Sequence, residues 1–231
     1  MAEETRKGRE HLLGFLSGVG IEIGALHRPV YAPHLNIRYV DRLTRDELFE
    51  CYPELRGQSI VETDILDNAE SLGTIRECSQ DFVIANHVIE HMRNPISSLL
   101  NWQRVLKQGG KLFLAVPNKH TTFDQEREIT SLQHVLDDYV NPSESRDFQA
   151  FLDFSKYVSC RFFKVKPESD FESFAKELEA KDYSIHFHVW DKPAFDQLLA
   201  HMERSFSAWR LKILDYADAA VDEFVYVLVR I

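Results

Sequence analysis

Glu22 and Gly24 stand where an apolar run breaks into a turn, Gly20-Ile21-Glu22-Ile23-Gly24-Ala25-Leu26-His27-Arg28-Pro29. A second short run, Ile37-Arg38-Tyr39-Val40-Asp41, ends in an acid. A strand, a turn that glycine permits and an acid at the tip of the next strand, roughly 20 residues on, make a nucleoside site. Gly24 lacks a Cβ, so backbone there can pass close to a ligand. Asp41 can accept hydrogen bonds from both hydroxyls of a ribose. Each acid also has a plainer use. Glu22 can satisfy turn amides, and Asp41 can cap the helix that follows it.

Asn86 and His87 end a further apolar run, Asp81-Phe82-Val83-Ile84-Ala85. Open α/β sheets bind ligands at the carboxyl ends of their strands, so both residues should border the same ligand. His91 follows His87 by four residues, a spacing that can hold a metal on one helix face. No third ligand is fixed by spacing, and the expectation is no metal. His186-x-His188-x-Trp190 alternates, which puts the three side chains on one face if the segment is extended. Imidazole titrates near neutral pH, so either His186 or His188 can serve as a general base. His120 and Asp124 are comparable candidates. The plainer use of each histidine is to line an aromatic cap.

Alternating helical and strand patterns position these groups. Residues 8 to 18 read as a helix, then strands at Val19–Ile23, Ile37–Asp41, Gln58–Thr63, Phe82–Ala85 and Lys111–Val116. Arg45–Cys51 reads as a helix ended by Pro53. A second helix starts at Asn94-Pro95, runs through Leu106 and is stopped by Gly109-Gly110. Residues 119–182 break the alternation, with helices expected at Leu132–Tyr139, Ser145–Tyr157 and Ser169–Lys181. A helix from Pro193 to Arg204 and strands at Arg210–Asp215 and Glu223–Ile231 close the chain.

The strand-to-loop run Asp81 to His91 and the segment Arg104-Val105-Leu106-Lys107-Gln108-Gly109-Gly110-Lys111-Leu112-Phe113, taken with Glu22-x-Gly24 and Asp41, resemble the class I S-adenosylmethionine-dependent methyltransferases. The resemblance implies a Rossmann-like seven-stranded doubly wound α/β sheet, with a helical cap inserted. Residues 1–118 would be the cofactor-binding core, 119–182 the cap and substrate insertion, and 183–231 the rest of the sheet. It implies S-adenosylmethionine as cofactor. Glu22, Gly24 and Ala25 would shape its methionine side, although Ala25-Leu26-His27 replaces the family's commoner glycines. Asp41 would take the ribose. Asp64, after the third strand, would accept from the adenine amine, with Ile65 on the ring face; the plainer reading of Asp64 is a turn before Asp67-Asn68. Asn86 and His87 would border the methionine moiety and methyl. His186, His188 and His120 are the catalytic candidates.

The run Pro117-Asn118-Lys119-His120-Thr121-Thr122-Phe123-Asp124, with Leu132-Gln133-His134, resembles a bacterial subgroup often met near sugar, surface-glycan or natural-product genes. That implies a small-molecule acceptor, with O-methylation of a sugar or related metabolite leading and nitrogen acceptors open. A silent methyltransferase-like interaction module is the main alternative. A nicotinamide enzyme is disfavoured, because the first strand is not followed by G-x-G-x-x-G.

Composition bounds the rest. The chain has 231 residues, 44% of them hydrophobic and 28% charged, as in a soluble globular protein. The net charge of -10 opposes a nucleic-acid partner, whose phosphates it would repel. No apolar run reaches the ~20 residues that span a bilayer, so no membrane partner is expected. Met1–Glu10 is polar and reads as no secretory signal. Cys51, Cys78 and Cys160 have no metal spacing and suggest reduced thiols in a cytoplasm. A homo-oligomer is left open.

Overall fold

In the computed structural model, residues 2–218 and 222–231 are described, and they build one seven-stranded sheet ordered β3-β2-β1-β4-β5-β7-β6. Its strands are β1 (Gly18–Ile23), β2 (Leu35–Asp41), β3 (Ile65–Leu66), β4 (Gln80–Asn86), β5 (Leu106–Pro117), β6 (Leu211–Asp218) and β7 (Glu223–Arg230). The first five pair in parallel, and β7 runs antiparallel between β5 and β6. The reversal of strand order lies between β1 and β4, where such sheets open a crevice at their carboxyl ends. Glu22, Asp41, Asn86 and His87 all lie at that end.

Helices cover both faces, so the central strands are buried on both sides and read as continuous apolar runs. One face packs Ile21, Ile23, Val83, Ala85, Leu112 and Leu114 against α3 (Pro95–Val105) and α7 (Lys192–Ser205). On α3, Ile96, Leu99, Trp102 and Val105 make the buried stripe. Trp102 is a core residue, and its indole donates to Ala69 O at 2.7 Å. The other face packs Phe82, Ile84, Phe113 and Val227 against Leu12 and Leu16, at and just beyond the end of α1 (Ala2–Leu13).

Two expectations are corrected. The third strand is Ile65–Leu66, not Gln58–Thr63. Ile60 is drawn down into a small cluster with Leu48 and Leu55, and Val61 N–H donates to Leu26 O rather than to a strand. The helix before β5 ends at Val105 without help from glycine, because Leu106 turns extended to pair with Gln80. Gly110 instead lies within β5, where an added Cβ would meet Lys107 O at 2.9 Å. The helices of residues 119–182 pack into different clusters. The helix α4 (Leu132–Val140) packs into the main core through Val135 and Leu136. Only α5 (Glu144–Asp153), the π-helical segment Phe154–Phe162 and α6 (Phe171–Ala180) form a separate cluster, around Phe151, Ala175, Leu178 and Ile185. Among the described residues, no helix is long and apolar enough to cross a membrane.

Candidate functional site

At the end of β1, Gly24 has φ +63 and Leu26 φ +49, so the chain doubles back through two left-handed residues. Glu22 holds this loop from beneath. It is fully buried, and its carboxylate accepts from Val30 N–H at 2.9 and 3.2 Å and from Asn86 Nδ2 at 3.0 Å. Burial pushes its pKa up to about 7, against those hydrogen bonds and the charge of Arg9. Glu22 therefore takes the plainer of its two readings and satisfies loop amides. Its contribution to a ligand is indirect, through the Gly24–Val30 loop and through Asn86.

The turn beside it leaves two polar atoms unpaired. Asn86 Oδ1 and His27 Nδ1 are buried and have no hydrogen-bond partner. Ala25 is buried beneath the loop. Asp41 is half-buried at the tip of β2, where Oδ1 accepts a long 3.3 Å bond from Leu43 N–H, and burial raises its pKa against the Leu43 and Arg42 N–H groups and the Arg42 charge. Asp41 is not the cap of α2 (Arg45–Cys51). Thr44 is, in a reciprocal capping box with Glu47. The acid is thus left at the strand end.

Asp64 is placed differently from its expectation. It precedes β3, is exposed, and accepts from Tyr39 N–H at 2.8 Å, alongside β2 and not at its tip. The acid that does follow β3 is Asp67, whose oxygens accept from Asn68 and Thr74 N–H, from Gly73 N–H and from the Thr74 hydroxyl at 2.7–3.0 Å. It is committed to its own loop. Ile65 packs against the main core. His87 has φ +51, and its Nε2 meets Glu223 Oε2 at 2.9 Å. Burial disfavours its charge, but Glu223 and Glu90 outweigh this and raise its pKa. The imidazole thus faces β7.

The histidines of the His-x-His-x-Trp segment go to different partners, because the chain bends at Phe187. His186 Nδ1 meets Asp124 Oδ2 at 2.6 Å, and Arg127 Nη1 donates to Asp124 Oδ1 at 2.9 Å. Its Nε2 points toward Glu90, 3.8 Å away. His188 stacks on Trp190 at 5.2 Å and 6° and meets Asp138 Oδ2 at 3.1 Å. Asp138 also receives His134 and Arg146, which together hold its pKa well down despite burial. His120 lies exposed beside Asp191, 3.4 Å away, at the start of α7. The three catalytic candidates are therefore not brought together. Sequence reading missed the roles of Glu90, Asp138 and Glu223. Only Asp138 carried a local signal, four residues after His134 on an amphipathic helix.

A cavity of about 860 Å³ opens where β2 ends. Arg42, Leu43, Glu47 and Cys51 line its core side, and Phe154, Phe163, Phe174 and Tyr183 line the side of the small helical cluster.

Comparison with known proteins agrees with this architecture. Residues 45–114, from α2 into β5, match a family model described as a methyltransferase domain. The PH0226 protein of Pyrococcus horikoshii shares the fold, with a TM-score of 0.52 at 14% identity over 99% of this chain and 91% of that one. A SAM-dependent methyltransferase from Aquifex aeolicus aligns at 9% identity and a TM-score of 0.48, over 99% and 90% of the two chains. No curated protein sequence matches the chain.

Proposed function

We propose that this S-adenosylmethionine-dependent methyltransferase transfers its methyl group to a small molecule, a hydroxyl oxygen of a sugar or related metabolite. The cavity beside Asp41 carries the reading. Its volume of about 860 Å³ is that of a small-molecule site, not a macromolecular groove. Four aromatic rings share it with Arg42, Glu47, Glu50 and Asp182, a lining that can stack on a ring and hydrogen-bond its hydroxyls. The free thiols Cys51, Cys78 and Cys160 fit a reducing cytoplasm.

The residues present fit the cofactor. The orphaned Asn86 Oδ1 would accept from the amino group of its methionine end. Asp41 would accept from the ribose hydroxyls. Gly24, with open space around its missing Cβ apart from Val88 at 3.6 Å, would let the chain pass the ligand. When bound, the cofactor supplies a sulfonium methyl and carries its own leaving group. The protein then has to align the acceptor and exclude water. The loop Gly24–Val30, fixed by Glu22, and the His87 turn, fixed by Glu223, are preorganised for that. The helices α5 and α6 cover the acceptor side.

Calorimetry with S-adenosylmethionine and its demethylated product, followed by methyl transfer from labelled cofactor to a panel of sugars and phenols, tests the reading. Cofactor binding with transfer to a hydroxyl compound is expected. Cofactor binding with transfer only to amines would overturn the oxygen assignment.

A further inference from the structure

We propose that Glu90, His91 and His186 form a binding site for one divalent transition-metal ion of the zinc type. Glu90 follows the β4 loop and is completely buried, yet neither carboxylate oxygen has a hydrogen-bond partner. A buried carboxylate in that state is strongly destabilising unless something compensates it. Protonation alone does not remove the problem. His186 Nε2 lies 3.8 Å and His91 Nε2 3.9 Å from Oε1, too far for a hydrogen bond. The three ligand atoms all lie within 4.8 Å of one another. Bonds of about 2.0–2.1 Å to a tetrahedral ion put donors roughly 3.3 Å apart, so small side-chain shifts close the site.

The second layer of contacts fixes both imidazoles for this use. His91 Nδ1 meets the carbonyl oxygen of Ile185 at 2.8 Å, and a carbonyl can only accept. The proton is therefore on Nδ1, and the Nε2 lone pair faces Glu90. His186 Nδ1 meets Asp124 Oδ2 at 2.6 Å, and Arg127 holds the pair in place by donating to Asp124 Oδ1 and to His186 O, each at 2.9 Å. Asp124 accepts from His186 Nδ1, which leaves Nε2 as the nitrogen directed at Glu90. Carboxylate or carbonyl oxygens holding the far nitrogen of a ligating histidine are the usual outer contacts of metal sites. Two imidazoles and one carboxylate suit zinc or a neighbouring first-row ion, with a coordination position left for water or an acceptor oxygen.

A second group, His134, Asp138 and His188, is similar in composition and different in chemistry. Both imidazoles already hydrogen-bond Asp138 Oδ2, and the Arg146 guanidinium holds Oδ1 at 2.6 Å. A fixed cation occupies that carboxylate, so an added one would be repelled.

The ion would join the β4 loop of the core to the segment that carries His186. With the ion bound, His186 is a ligand and not a free base. The inference rests on geometry and holds whether or not the acceptor is a hydroxyl compound. The test uses untagged protein stripped with EDTA and titrated with Zn2+ and with Co2+, whose visible spectrum reports its coordination. One equivalent should bind, with a low-symmetry Co2+ spectrum. Glu90→Gln and His186→Ala should each weaken binding at least ~100-fold, Asp124→Asn by about 10–100-fold, and His134→Ala not at all. Absence of saturable binding by the wild-type protein, or unchanged Zn2+ affinity in folded Glu90→Gln, would overturn the site. Cofactor affinity, measured separately on the same stripped protein, keeps this result apart from the methyltransferase reading.

Discussion

Asn86 Nδ2 donates to Glu22 Oε1 at 3.0 Å, joining the ends of β1 and β4 across the point where the strand order reverses. The bond fixes the Asn86 amide so that its other end, Oδ1, is left without a partner at the crevice. A buried strand acid thereby orients the group that meets the ligand. Asn86→Asp should weaken S-adenosylmethionine binding by about 10-fold or more, because a second carboxylate would face Glu22 and disorder the turn. Isothermal titration on the folded variant checks this.

Glu22 also ties stability to pH. Burial raises its pKa from the ordinary 4.5 to about 7 in the fold. An acid with a raised folded pKa stabilises fully below its unfolded value and loses that contribution as pH rises through the folded one. Unfolding free energy should therefore fall between about pH 4.5 and 7, by up to about 3 kcal/mol from this group. Glu22→Gln should flatten that slope in denaturant titrations at several pH values. An unchanged slope would show that the carboxyl does not titrate there.

Asp41→Ala should cut cofactor affinity by roughly 10- to 100-fold, since a charged acceptor contributes about 1.5–3 kcal/mol. Stability should change little, because Thr44 and not Asp41 caps α2. Calorimetry showing full affinity would remove Asp41 from the site.

His188→Ala should act on stability more than on turnover. The ring is buried against Trp190 and joined to Asp138, so its loss opens a cavity and frees a buried acceptor, costing about 2–4 kcal/mol. Guanidinium melts report it. A variant as stable as the parent but slow in methyl transfer would return His188 to a catalytic role.

Ligand-dependent closure should be confined to residues 144–181. That stretch has its own apolar cluster around Phe151 and Leu178, whereas α4 is anchored in the main core by Val135. Hydrogen exchange should slow on adding cofactor and acceptor in α5 and α6 and stay unchanged in α4. Equal protection of α5 and α6 with and without ligands would rule the closure out.

The sequence by itself determined the alternating core. Apolar runs at Val19–Ile23, Phe82–Ala85 and Lys111–Val116 read as central strands, and residues 20–23, 82–85 and 112–116 are indeed buried on both faces, while Asn94-Pro95 and Pro193 mark helix starts. Asp41 was legible for the same reason, as an acid at the end of such a run. The third strand was not, because two residues paired at a sheet edge leave no periodicity, and Ile60 answered to Leu48 and Leu55 instead. Nor was the meeting of Glu90, His91, His186 and Asp124. Their convergence depends on the bend at Phe187, whose N–H, like that of His188, donates to Glu90 O across 90 or more positions of chain. Spacing along a chain reports contacts within one helix or strand. Side chains from separate loops are placed only by the packing of the sheet and helices that carry them.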